Sequence, residues 1–236
     1  MQYEEIAREE LEKEILDFLA NTCCVPDPNP GPHSCGTIHR TSLVLATSYN
    51  DEPRATPLEF FNEGFTLYIF GEPGGKIANI KRNSKVCAAI YEQPLDHSKV
   101  QRSLQVWGEA ELISVRNDKE TYLEKVKKWN MFNVAKALMA PLIKDLGPED
   151  QKANVEKLLE ALNLIKITPS RIVLRKYTTD FAMPKYEWKK EGYGQKRALS
   201  GTLTSRLDTV QHQFIGGRTV IIKVMFPSGS LKISSR

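Results

Sequence analysis

Apolar and polar positions recur along this chain with two different periods, and the switch between them marks its elements. Across residues 3–20, Ala7, Leu11, Ile15, Phe18 and Leu19 recur at the spacing of an amphipathic helix. A loop with Pro26, Pro28, Pro30 and Pro32 follows, and none of these suits a helix interior. From residue 38 the pattern becomes that of strands. Residues 38–48 (IHRTSLVLATS) are β-branched and apolar, Asn50-Asp51-Glu52-Pro53 is turn chemistry, and residues 54–61 (RATPLEFF) return as a second strand. Glu63-Gly64 turns the chain again into residues 65–70 (FTLYIF), so these three strands predict an antiparallel meander.

A glycine-rich loop, Gly71-Glu72-Pro73-Gly74-Gly75-Lys76, then runs into a short helix through Ile77 and Ile80. Residues 86–91 (VCAAIY) and 103–113 (SLQVWGEAELI) read as the fourth and fifth strands, and Gly108 within the fifth marks a bulge or a close approach by another group. Residues 117–163 are helical in character, with Tyr122, Val126 and Trp129 on one stripe and Val155, Leu158, Leu159 and Leu162 on another. Residues 164–177 read as a sixth strand interrupted at Pro169-Ser170-Arg171. Turn-linked strands with one short helix between the third and fourth predict a small closed β-barrel, not a regularly alternating parallel fold. The expected organisation is an N-terminal helix and proline-rich loop over 1–36, a barrel body over 37–191 carrying the helical insert, and an extension over 192–236. In that extension only residues 219–226 (TVIIKVMF) have strand character.

Composition sharpens this in three places. With 41% hydrophobic and 26% charged residues among 236, the chain has the mixture of a soluble globular protein, and no apolar run approaches the roughly 20 residues of a membrane span. The acidic start, Met1-Gln2-Tyr3-Glu4-Glu5, resembles neither a secretory signal nor a transit peptide, so the expected location is the cytoplasm. The net charge of +4 is uneven: residues 192–236 hold seven basic groups against Asp208, which gives that segment +6 and leaves the body at −2. A mildly acidic body predicts neither a nucleic-acid nor a membrane partner. Cys23, Cys24, Cys35 and Cys87 are too few for a disulfide scaffold and lack the spacing of a zinc site, so they read as reduced thiols. His33, His39, His97 and His212 show no ligand spacing and read as surface or structural residues, and Trp107 and Trp188 as core or interface.

The glycine-rich loop is the first candidate for chemistry. Glycines let backbone N–H groups turn inward, the helix start adds its positive end, and Lys76 adds a full charge, which together suit a phosphate. The loop is not a Walker A motif, since Ile77 stands where Ser or Thr would hold magnesium, and no dinucleotide fingerprint is present. Arg54 opens an otherwise apolar strand, and in a barrel it and Lys76 would converge on one anion.

In this order, TSLVLATSYNDEPRATPLEFF, FTLYIF, GEPGGKIANIKRNSKV and SLQVWGEAELI resemble the FMN-binding split barrels of the pyridoxamine 5′-phosphate oxidase-like group. The resemblance covers residues 38–113 and, loosely, 165–188. It implies an α+β fold, a six-stranded antiparallel split β-barrel that forms a homodimer with flavin mononucleotide (FMN) at the subunit interface. It implies phosphate contacts from Arg54 and Lys76, with Gly75 where the loop approaches, and ring contacts from Thr56, Pro57, Leu58, Ile69 and Phe70. A glutamine that faces the ring in the family corresponds to Gln105, or Ser103 corresponds to it by an alignment two residues away; both side chains would share a face. The basic, histidine-containing substrate segment of the true oxidases has no counterpart here. The implied function is an FMN-dependent oxidoreductase acting on an unidentified small molecule or electron carrier. The alternative is a non-catalytic flavin- or haem-binding sensor on the same barrel. Flavin itself would carry the redox chemistry, so no catalytic side chain is assigned.

Overall fold

The computed structural model describes residues 3–29, 34–92, 99–180 and 182–193, and the backbone of 209–215 and 218–224. The chain divides into two compact units, Met1–Glu191 and Gly192–Arg236. The first contains α1 (Arg8–Thr22), β1 (Val25–Pro26), β2 (Thr37–Ile38), β3 (Leu43–Tyr49), β4 (Glu52–Leu58), β5 (Phe61–Glu63), β6 (Thr66–Gly71), α2 (Gly75–Arg82), β7 (Lys85–Tyr91) and β8 (Gln101–Ile113). It continues through α3 (Lys119–Lys128), α4 (Met131–Ile143), α5 (Pro148–Ala161), β9 (Asn163–Tyr177) and β10 (Lys185–Lys189). In the second unit β11 (Thr209–Ile215) pairs with β12 (Arg218–Val224) as an antiparallel hairpin.

Eight strands form one antiparallel sheet in the order β4-β3-β7-β8-β9-β6-β5, with β10 also paired to β9. The predicted count of six is corrected to eight. Residues 54–61 break into β4 and β5 instead of forming one strand, and β10 adds a further strand. The predicted meander is corrected too. β4 pairs with β3, β5 pairs with β6, and the two hairpins stand at opposite ends of the sheet order.

Only Glu59 and Phe60 lie between β4 and β5. Three backbone steps reach at most roughly 11 Å, so the two ends of the sheet are held close and the sheet must curl. Among the described residues no ladder joins β4 to β5. The barrel is therefore split: covalent chain holds its ends together where hydrogen bonds do not. Pro53 and Pro57 fit this position, because proline removes a ladder donor and is tolerated on an edge strand.

Strand alternation fills the barrel. Leu43 and Leu45, Leu67 and Ile69, Ala88 and Ile90, Leu104 and Val106, and Ile172 and Leu174 are buried in one cluster. α1 adds Leu11, Ile15, Phe18 and Leu19 to it, and α2 adds Ile77 and Ile80. Residues of opposite parity, Tyr68 and Leu164, point outward and join Tyr122, Val126, Trp129, Val134, Val155 and Leu159 of the insert in a second cluster. β9 runs through Pro169 without ending. Its register against β8 shifts between Trp107 and Gly108, where Ser170 is the extra residue of a bulge. No helix among the described residues is long and apolar enough to cross a membrane.

Candidate functional site

The split in the barrel is where the predicted anion contacts meet. β3 and β4 are joined through Asn50 and Asp51, both at positive φ (50° and 61°), as a two-residue type I′ hairpin requires. The hairpin pairs Arg54 with Thr47. The same end of β3 is tied to α2: Asn79 Nδ2 donates to Thr47 Oγ1 at 3.2 Å, and Asn83 Nδ2 to the Ser48 carbonyl at 3.1 Å. α2 is thus pinned beside β4, and the Arg54 guanidinium lies over the first helical residue, Gly75. A Cβ added to Gly75 would stand 2.8 Å from Arg54 Nη1 and 3.0 Å from Cζ. Lys76 folds back along the loop, with Nζ donating to the Glu72 carbonyl at 3.2 Å.

No side chain among the described residues caps the N-terminus of α2, which leaves its first-turn N–H groups to solvent or ligand. A guanidinium, an ammonium and these N–H groups form a donor-only cluster of positive charge that suits a phosphate monoester. Gly75 is needed because a side chain there would take the space that the guanidinium occupies.

Of the predicted ring contacts, Thr56, Pro57 and Leu58 follow Arg54 along β4, whose outer edge pairs with no strand among the described residues. Ile69 and Phe70 lie on β6 beyond its last pairing with β5, at Tyr68, so their backbone also has one unpaired edge. The Ile69 side chain is fully buried in the barrel core, and only its backbone can face a ligand. Phe70 packs edge-on against Tyr122 and Trp129.

Ser103 and Gln105 share the outer face of β8, in a shallow depression of about 300 Å³ with Val44, Ala89, Val173 and Arg175. The register runs Pro57–Val44–Ala89–Gln105 across β4, β3, β7 and β8. Three strand spacings place Gln105 about 14 Å from Pro57. The structure therefore unites Arg54, Gly75 and Lys76 at the split and sets Ser103 and Gln105 apart on the outer sheet face. Trp107 and Trp188 are structural: Arg171 lies 4.4 Å over the Trp107 ring, and buried Trp188 donates to Glu12.

A second constellation was not expected from the sequence. β1 and β2 close the proline-rich loop and bring Cys24 and Cys35 to either side of His39. Cys35 Sγ is 3.2 Å from His39 Nε2, and His39 Nδ1 is 3.0 Å from Glu59 Oε1. Beside them is a pocket of about 140 Å³, with Thr37, His39 and Glu59 on one wall and Phe61, Phe70, Met131, Val134, Leu138 and Leu162 among its apolar residues. The four residues of the cluster are scattered between positions 24 and 59, so no spacing rule could have gathered them. No group of three or more His, Cys, Asp or Glu side chains among the described residues is arranged to hold a metal ion. His33, His97 and the side chain of His212 lie outside the described residues.

Comparison with solved structures finds similar but distant chains. General Stress Protein 26 from Bacillus anthracis matches with 21% identity over 70% of this chain and 93% of its own, at a TM-score of 0.41. A FAD-binding protein from Mesorhizobium loti matches with 17% identity over 58% and 86%, at 0.40. A NimC/NimA family protein from Clostridium acetobutylicum matches with 16% identity over 75% and 92%, at 0.38. No curated protein matches the sequence. The family model described as pyridoxamine 5′-phosphate oxidase matches residues 37–175, from the start of β2 almost to the end of β9 and more than half of the chain. The chain belongs to the pyridoxamine 5′-phosphate oxidase family.

Proposed function

We propose that this protein is a flavoprotein that binds FMN at the barrel split, and an oxidoreductase acting on a small molecule. The observation that carries the proposal is the Arg54 guanidinium seated over Gly75 at the uncapped start of α2. Arg54 offers a planar two-pronged grip on a phosphate monoester, Lys76 a mobile point charge, and the α2 amides fixed dipoles. The unpaired backbone edges of β4 and of β6 beyond Tyr68 offer hydrogen bonds to the polar rim of a flat ring. Bound flavin would supply the acceptance and return of an electron pair.

Ser103 and Gln105 lie too far from β4 to serve the same ring within one subunit. We infer that they serve the site of a second copy, in a homodimer. Val44, 41% exposed, and exposed Ala46, Ala55, Pro57 and Ala89 make the outer sheet face apolar enough to need cover.

The test is FMN titration of the apoprotein by fluorescence quenching. Arg54→Ala with Lys76→Ala should weaken binding by more than about a hundredfold, since each charge-assisted contact contributes about 1.5–3 kcal/mol. An unchanged titration would sink the phosphate assignment. A monomer by light scattering that binds FMN stoichiometrically would sink the dimer.

A further inference from the structure

The contacts of Cys35, His39 and Glu59 follow the order of a nucleophile, its base and an orienting carboxylate. Nδ1–H of His39 donating to Glu59 leaves the Nε2 lone pair for the Cys35 thiol. The Thr37 hydroxyl lies 3.3 Å from Cys35 Sγ and 3.1 Å from His39 Nε2 and completes the polar side. Apart from Glu72, the other residues lining the adjoining pocket are apolar, and its 140 Å³ is close to the volume that admits one benzene-sized ring.

We propose that Cys35, His39 and Glu59 form a nucleophilic thiol relay, and that the pocket receives the single-ring or short-chain body of an α,β-unsaturated carbonyl compound to which Cys35 adds. His39 Nε2 takes the thiol proton, and the Sγ lone pair forms a bond to the β-carbon. The C=C π pair moves toward the carbonyl, and the imidazolium returns its proton to the resulting enolate. One S–H bond and one π bond are lost, one C–S and one C–H bond are gained, and no oxidant or reductant is consumed.

Acyl transfer is less well served by the same residues. The amide next to the nucleophile, Gly36 N–H, is already given to Ser34 Oγ at 3.1 Å and does not stabilise an oxyanion. Burial alone would raise the Cys35 thiol, but its contacts with Thr37 and His39 hold it below its usual value. Cys24, at 3.4 Å from Nδ1, is buried and pushed up to about 12, chiefly by desolvation, and stays a thiol. Neither Arg54 nor Lys76 takes part, so the relay stands or falls independently of FMN.

The probes are N-phenylmaleimide and N-methylmaleimide, substoichiometric at pH 7 on the full chain, with adducts located by peptide mass mapping. Cys35 should be labelled at least about tenfold faster than Cys23, Cys24 or Cys87, and His39→Gln should remove that advantage. Glu59→Gln should reduce it in part, and serves if the histidine variant does not fold. Relative to free cysteine, Cys35 should prefer the phenyl reagent, and Val134→Trp should abolish the preference. Leu138→Glu, at a position 70% exposed, gives the same test without touching the core. Labelling of Cys35 no faster than the other thiols, or unaltered by His39→Gln and Glu59→Gln, overturns the relay. A phenyl preference that is absent, or unaltered by both pocket variants, overturns the assigned electrophile.

Discussion

Two glycines illustrate how differently a single missing side chain can act. At Gly75 an added methyl group meets the far end of a flexible arginine, which can swing away. Gly75→Ala should therefore leave the melting temperature almost unchanged yet weaken FMN binding about tenfold or more, by displacing the Arg54 guanidinium. At Gly108 an added Cβ would stand 2.4 Å from the Thr168 carbonyl oxygen, which is backbone within the β8–β9 ladder and cannot turn aside. Gly108→Ala should cost about 1–3 kcal/mol of stability, read from urea unfolding, with FMN affinity per folded molecule unchanged. A normal midpoint for Gly108→Ala would mean that the bulge at Ser170 absorbs the intrusion.

At the scale of elements, the helical insert is fastened by a few polar contacts as well as by its apolar stripe. Buried Lys125 on α3 reaches back to β5, with Nζ 2.7 and 2.9 Å from the Glu63 carboxylate oxygens, and Lys128 adds a second contact. Burial alone would raise the Glu63 carboxyl, but the two ammonium groups hold it below its ordinary value. Its stabilising contribution is thus present above the usual carboxylate value of 4.5 and lost as pH falls through the depressed one. Glu63→Gln should lower stability at pH 7 by about 1–3 kcal/mol and flatten the loss of melting temperature between pH 5 and about pH 3. A variant whose acid profile overlays the parent would show that α3 is held by packing alone.

The longer elements of the body were legible in the sequence, because α1, β3, β6, β7, β8 and β9 each carry a run of apolar positions, whereas the short β1, β5 and β10 were not read as separate strands. Strand partners were less legible. Residues 54–61 look like one strand since RATPLEFF holds no turn pair such as Asn-Gly or Asp-Gly, yet the ladder to β3 stops at Leu58 and a new one starts at Phe61. Pro53 and Pro57 were the available signal, since they bar β4 from a central place. Gly75 and Lys76 came from the glycine-rich loop and Arg54 from the start of a strand, and the Arg54 guanidinium lies over Gly75. Ser103 and Gln105 were placed on one face, but which ring that face can reach depends on barrel curvature, which is not written in strand periodicity. Cys35 and His39 are four residues apart, but Cys24 and Glu59 reach His39 only by tertiary contact, which no local pattern announces.

For the whole molecule, the boundary after Glu191 has a measurable consequence. Every residue assigned to the split, the core and the outer sheet face belongs to the unit Met1–Glu191. A chain ending at Glu191 should keep FMN affinity and dimer formation within about twofold, while losing the +6 charge of the extension. Loss of flavin, or a melting temperature lower by several degrees, would make the second unit part of the functional fold. The sheet order also bears on how the chain assembles. β9 lies between β8 and β6, so a nascent chain that has not yet yielded Asn163–Tyr177 holds two separate fragments, each with an open edge. Hairpins β3–β4 and β5–β6 can form early, being local, but the two fragments become one sheet only with a strand synthesised some fifty residues after β8. Until then the β8 and β6 edges that β9 will occupy are templates for neighbouring chains, and synthesis of β9 sets the interval over which the protein is exposed to aggregation.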